Sequence, residues 1–340
     1  MTVANEQPRQ LPLPWIQTPL IRSATLSELA GCEIYLKLDN IQPSGSFKSR
    51  QVRLKALGGV GNLIRKAALS SRSGSPLHFY SSSGGNAGLA CVSASVLLSY
   101  PCTIVVPLST KPFMIDKLKK AGASEVKQVG ATWFDADKYL REVLLKEDEN
   151  GVYVPPFDHP DIWEGAESLA DEIIRDLGEV PSGVVCSVGG GGLLIGLCQG
   201  LDRLDASHKA QVVAVETYGA ESLHEAVKAG ELVTLPGITS IATSLGAVRV
   251  ASKAFDYGMK EHVHSALVTD KEAAEACARF LDDERILVEP ACGATLAMVY
   301  SGRLKEILSY KEHHKVVLEV CGGSAISSEI LAGYKQMFDF

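Results

Sequence analysis

The chain has 340 residues, enough for two domains, and its 46% hydrophobic and 21% charged residues fit a soluble globular protein. A formal charge of −7, with no basic run or stripe, argues against a nucleic-acid partner. No stretch approaches ~18 uninterrupted apolar residues, and polar Met1–Gln10 lacks a signal-peptide core, so neither a membrane span nor export is expected and the cytoplasm is the expected location.

Short β-branched runs alternate with helical stretches along the chain. Strands are predicted at Ile34–Leu38, Leu77–Ser81, Thr103–Val106, Val126–Val129, Val184–Val188, Val212–Val215 and Val316–Val320. Helices fit at Asn86–Leu98, Pro112–Ala121, Trp133–Lys146, Ala166–Leu177, Gly192–Leu201, Lys271–Leu281 and Ile326–Lys335. Several strands are continuous apolar runs, as expected of a parallel sheet covered on both faces. The rhythm implies an α/β doubly wound architecture. Leu57–Asn62, with three glycines, and Ser70–Pro76 read as loops, and Asn150-Gly151 and Pro155-Pro156 break the rhythm near the middle. The eight cysteines are scattered, without C-x-x-C or zinc-site spacing, and read as reduced core residues.

Three segments stand where an open α/β sheet binds ligands, at the carboxyl ends of strands. In Ser44-Gly45-Ser46-Phe47-Lys48, a lysine falls at or near an expected helix start, where the helix dipole disfavours a cation. A bound phosphate or conversion to an imine would account for it. In Ser81–Gly88, a Ser/Gly-rich turn opens a helix with clustered N–H groups, suited to a carboxylate or phosphate. Helix capping is the plainer reading of the same residues. In Gly189-Gly190-Gly191-Gly192-Leu193, four glycines let a small phosphate lie on the backbone. That segment fits neither the Walker A pattern nor the dinucleotide fingerprint.

Taken in order, these motifs resemble the fold-type II pyridoxal-5′-phosphate (PLP) enzymes, the serine and threonine dehydratases, serine racemases and cysteine synthase relatives. Ser44–Lys48 matches S-G-S-F-K, Ser83–Ala87 matches S-x-G-N-A, and Gly189–Gly192 matches the tetraglycine loop. The likeness runs on through Pro155–Asp158, Leu287–Ala291 and Cys321–Ser324. It most resembles the serine dehydratases of animals and fungi. The resemblance implies β-elimination of L-serine to pyruvate and ammonia, with some L-threonine turnover.

The resemblance also implies roles. Lys48 would carry the cofactor as a Schiff base and act as base at Cα, Phe47 would lie against its ring, and Asn86 would bond the ring oxygen. Gly189, Gly190, Gly191, Gly192 and Leu193 would cradle the phosphate. Ser83, Gly84, Gly85, Asn86 and Ala87 would clamp the substrate carboxylate. Cys321 would face the pyridine nitrogen; a thiol there holds no proton on the ring, which favours elimination. A monovalent cation, potassium by likeness, would take Glu216 and carbonyls near Ala220, Leu245 and Ala247. A large domain of residues 1–48 and 161–340 and a small domain of residues 49–160 would enclose the cofactor, and a homodimer is expected.

Departures from the family pattern narrow the choice. Gly84 stands where racemases place a serine hydroxyl, and Ala87 where threonine dehydratases commonly have His. Gln51 replaces a usual glycine, with a consequence the motif does not reveal. The chain ends at Phe340, soon after Ser324, so no appended regulatory domain is expected. Glu289, beside Pro290 in an apolar run, reads as partnered and is given no chemistry; His159 and His224 read as structural. A threonine dehydratase, a racemase and a PLP-binding protein without catalysis remain the rival readings.

Overall fold

The computed structural model describes residues 11–50, 59–71, 76–204 and 210–340. Met1–Gln10, Gln51 and the middle of the Ser70–Pro76 loop lie outside the described residues.

Two sheets organise the chain. Strands β1 (Leu20–Ser23), β2 (Glu33–Lys37), β7 (Gly183–Ser187), β8 (Gln211–Thr217), β9 (Val263–Val268) and β10 (Lys315–Glu319) form the larger, in the order β1-β2-β10-β7-β8-β9. Only β1 runs antiparallel to its neighbour. Strands β3 (His78–Ser81), β4 (Cys102–Val106), β5 (Glu125–Gln128) and β6 (Gly151–Tyr153) form the smaller, all parallel, in the order β5-β4-β3-β6. Every residue of the inner strands β4 and β7 is buried, because helices cover both faces. Edge strand β5, Glu-Val-Lys-Gln, is partly exposed and charged, which blunts edge-to-edge pairing. No helix among the described residues is long and apolar enough to cross a membrane.

The predicted strands and helices all occur, with ends shifted by a few residues. Other elements escape the sequence pattern. Strand β6 begins at Gly151, inside the break read at Asn150-Gly151, and edge strands β1 and β9 carry polar interruptions. The Leu57–Asn62 loop reading is corrected: Gly59–Ser70 is a helix, while Leu57 and Gly58 lie outside the described residues. Its glycines serve close packing, since a Cβ on Gly61 would meet Pro14 at 2.9 Å and the Ser49 carbonyl at 3.0 Å. Helix Pro290–Tyr300 is buried from Pro290 to Val299, so it has no amphipathic period to read. All eight cysteines are free and buried, as expected.

A group of buried charges joins β2, β10 and helix Pro160–Leu177. The Arg50 guanidinium pairs with Asp39 and reaches Glu172 Oε1 at 3.0 Å, with Ser168 and Thr18 completing its donors. Lys37 Nζ, fully buried, contacts Glu172 Oε2 at 2.6 Å and donates to the Thr18 carbonyl at 2.6 Å. Arg50 stands two residues past Lys48, so this network fixes the far end of the motif segment. Replacing it leaves buried Asp39 without its paired cation, while Glu172 keeps Lys37. Arg50→Met is expected to cost about 3–5 kcal/mol, read from the chemical denaturation midpoint; a loss below about 1 kcal/mol, the range of a surface pair, would contradict this account.

Candidate active site

The Lys48 segment does not open an α-helix as expected. Phe47–Ser49 is a single 3-10 turn, and Arg50 leaves it in an extended conformation (φ −52°, ψ 151°). The helix-dipole argument for Lys48 therefore falls away. What fixes the segment is backbone contact with the loop after β10. Ser46 forms an isolated bridge with Gly322, Phe47 N donates to the Cys321 carbonyl at 3.2 Å, and Gly323 N donates to the Gly45 carbonyl at 2.9 Å. Lys48 and Cys321 are thus neighbours by construction.

Lys48 Nζ lies 4.9 Å from the centroid of the Phe47 ring and donates to the Pro156 carbonyl at 2.7 Å. Loss of water around the ammonium pulls its pKa down to about 8. A lysine so placed becomes a free amine at a lower pH than an exposed lysine does, fit to attack a carbonyl or take a proton. The Cys321 sulfur lies 3.6 Å from Ser187 Oγ, and the free thiol of Cys292 is a further hydrogen-bonding neighbour. The Cys292 bond and burial push the Cys321 thiol well up, so it stays neutral.

The glycine loop follows β7 directly and feeds helix Gly192–Asp202. Gly191 caps this helix with φ +92° and offers no side chain to its first N–H groups. Among the described residues, the amides of Gly189 to Gly192 have no hydrogen-bond acceptor, which leaves a set of donors suited to a phosphate. The Gly190 carbonyl is occupied by Ala251 N at 3.0 Å, which fixes that peptide. A Cβ on Gly190 would overlap the Phe157 ring, so this glycine also makes room for an aromatic neighbour. Leu193 is buried in the larger sheet's core.

The third loop follows β3. Ser83 Oγ accepts from Gly85 N at 3.3 Å, and Gly84 packs beside Val106 and Thr110. Asn86 begins helix Asn86–Leu97, and Ala87 is buried behind it. The Asn86 amide crosses to the larger sheet's elements. Its Oδ1 accepts from Ser324 N at 3.0 Å and Ser324 Oγ at 2.9 Å, and its Nδ2 donates to Glu289 Oε1 at 2.8 Å. Glu289 is partnered, as expected, but with a predicted site residue, so it belongs to the site. The sequence signal was its place in the Leu287–Ala291 motif, directly before a helix-opening proline. Ser244 and Phe157 join the site as well, Ser244 packing beside Gly189 and reaching toward Asn86.

Glu216, at the end of β8, is fully buried. Its carboxyl accepts from Leu223 N at 2.9 Å and His224 N at 2.7 Å, and burial pushes its pKa up to about 8. Ala220 N donates to the Thr217 carbonyl, and the Leu245 carbonyl accepts from Ala247 N. No group of three or more His, Cys, Asp or Glu able to hold a metal occurs among the described residues. His159 caps helix Pro160–Leu177 and His224 bonds Ser265, both structural.

Comparisons with known proteins agree over most of the chain. Residues 11–322 match the model of the pyridoxal-phosphate dependent enzyme family. The chain is 45% identical to the L-serine dehydratase/L-threonine deaminase of Bos taurus, over 95% of both chains. It is 43% identical to the L-serine dehydratase of Saccharomyces cerevisiae, over 92% of this chain and 94% of that one. Among solved structures, a fungal L-serine ammonia-lyase from Rhizomucor miehei superposes with a TM-score of 0.85 at 33% identity, covering 96% of this chain and 99% of that one.

The amine of Lys48 gives a pH-dependent prediction. Below pH about 8 it is an ammonium, and above it a free amine. In cofactor-stripped protein, amine labelling at Lys48 followed by mass spectrometry should reach half its maximum near pH 8. Exposed lysines should do so only near pH ~10.4. Labelling of Lys48 in step with the exposed lysines would refute a depressed pKa.

Proposed function

This chain belongs to the family of pyridoxal-phosphate dependent enzymes, and we propose that it catalyses the β-elimination of L-serine to pyruvate and ammonia, with L-threonine giving 2-oxobutanoate as a second reaction. What supports the reading is that the Lys48 turn, the open glycine amides and Asn86 are linked through Pro156-Phe157 and Ser244, in a chain alike over 95% of its length to a protein named for this activity.

The residues fit the cofactor. Unpaired amides at Gly189–Gly192 and the helix start behind them would hold its phosphate. Phe47 would lie against the ring and Asn86 Nδ2 would meet the ring oxygen. Cys321, a neutral thiol, would stand at the ring nitrogen and leave it unprotonated. When bound, pyridoxal phosphate supplies an electron sink conjugated to the substrate nitrogen. A sink weakened by a neutral ring partner favours loss of a β-substituent over chemistry needing a long-lived carbanion. The Lys48 amine, held by the Pro156 carbonyl beside Nζ, would take the Cα proton. The amides and Ser83 hydroxyl of the Ser83–Ala87 loop would receive the substrate carboxylate. Gly84 presents no hydroxyl to the opposite face of Cα, which disfavours racemisation.

The same reading divides the chain into a large domain, residues 1–48 and 161–340, and a small domain, residues 49–160. The separate four-stranded sheet supports the division. It also includes a monovalent cation at Glu216 with carbonyls of Ala220, Leu245 and Ala247. The oxygen-only donors support that site, and a cation would lower the raised carboxyl pKa. A homodimer working in the cytoplasm completes the reading; the unpaired buried cysteines fit a reducing compartment.

The test is an absorbance spectrum of purified protein with L-serine, L-threonine or D-serine added and keto-acid release followed. A visible imine band that changes on L-serine, with pyruvate released fastest from that substrate, is expected. Lys48→Ala should lose the band and at least about a thousandfold in turnover. A band without keto-acid release from any of the three would overturn the assignment.

A further inference from the structure

Asn86 sits between donors and acceptors that leave its amide one orientation. Its Oδ1 takes two bonds from Ser324, one of them from a backbone N–H, which can only donate. Turning the amide over would set its NH2 against that N–H and its oxygen against Glu289. One Nδ2 hydrogen is committed to Glu289 Oε1 at 2.8 Å. Nδ2 also donates to Ser244 Oγ, at the longer distance of 3.4 Å, so the second hydrogen is weakly engaged.

The partners of Asn86 are themselves fixed. Glu289 is 2% exposed, and its Oε2 accepts from Ala325 N at 2.9 Å. Gly323 lies so close to it that a Cβ there would overlap the Glu289 carboxyl. Lys117 Nζ, from helix Pro112–Lys120, donates to the Ser324 carbonyl and so holds the peptide of Ser324 from its other side. Three segments distant in sequence, at Ser244, Glu289 and Ser324, meet the Asn86 amide, and Lys117 holds the last of them.

We propose that Glu289 and Ser324 are positioning residues that lock the Asn86 amide so that its second Nδ2 hydrogen, held only at 3.4 Å by Ser244, is presented to the cofactor ring oxygen. This rests on the reading above that Asn86 meets that oxygen. Neither residue touches the reacting atoms; both act through Asn86. Ionised or neutral, Glu289 keeps an acceptor for Asn86, but only the carboxylate accepts on both oxygens at once. Glu289→Gln conserves shape and places an NH2 against either Asn86 Nδ2 or Ala325 N.

A double-mutant cycle on the holoenzyme decides the matter. Glu289→Gln, Asn86→Ala and the pair are compared by the dissociation constant for pyridoxal phosphate and by the pH at which the visible band titrates. Glu289→Gln should weaken cofactor binding about tenfold, the loss of one charge-assisted bond, and shift that titration. In the Asn86→Ala background the same change should alter neither by more than about twofold, the scatter of uncoupled sites. Equal effects in both backgrounds, or none in the wild type, would overturn the proposal. An Asn86→Ala enzyme that binds cofactor and titrates like wild type would instead remove the reading of Asn86, and the proposal with it. Should Glu289→Gln fail to fold by circular dichroism, Ser324→Ala enters the same cycle under the same criteria, since it deletes one of two donors to Oδ1 and leaves the fold's backbone bond.

Discussion

Two buried cations hold the Lys48 corner of this protein in place. Arg50 and Lys37 lie in the interior against Asp39 and Glu172, between the second strand, the last strand and the long helix from Pro160. Two positive groups already face Asp39, Glu172 and, 3.7 Å from Lys37, Asp176, which leaves no charge to balance a further carboxylate. Glu319, buried beside them on β10, is accordingly pushed well up, by burial first and then by Asp39. A buried ion network of this kind adds little net stability compared with a well-packed apolar core. Its geometry is what counts: a fork of guanidinium donors tolerates one arrangement, and the backbone on either side inherits it. Lys48 lies two residues before Arg50, and Cys321 two residues after Glu319.

From that anchor the site is assembled by backbone contact more than by side chains. The Ser46–Gly322 bridge and its flanking bonds put the lysine-bearing turn against the loop that ends in Cys321. The glycine loop and the Asn86 loop reach the same place from the carboxyl ends of β7 and β3. Asn86, Ser324, Glu289 and Lys117 then tie elements of the two sheets together through hydrogen bonds. Such bonds are cheap to break and remake, which suits a cleft that has to admit a substrate.

Much of this was legible in the sequence, for reasons that differ by element. Inner strands such as Gly183–Ser187 announce themselves because burial on both faces forces an unbroken apolar run. Edge strands β1, β6 and β9 answer to weaker constraints and were not read. The helix from Pro290 was missed for the opposite reason, since burial all round erases any period. At the site, residues in contiguous motifs were identified, and the structure brings Lys48, Phe47 and Cys321 together. Glu289 was noticed but given no role, because its partners lie in loops that no local pattern connects to it. The turn at Lys48 was mistaken for a helix start because polar punctuation followed by a lysine does not distinguish one 3-10 turn from the first turn of an α-helix.

The tight fit of Gly190 against Phe157 bears on how this protein can change over generations. A side chain at position 190 overlaps the aromatic ring, so no single substitution there is free while the ring remains. Phe157 in turn follows Pro156, whose carbonyl holds the Lys48 amine, and its own carbonyl accepts the Trp163 indole N–H at 2.9 Å. A lineage that enlarged the loop would first have to shrink the ring, and would meet the lysine's resting place on the way. Residues far apart in the chain are therefore bound to a shared mutational path, and drift at either one is confined by the other.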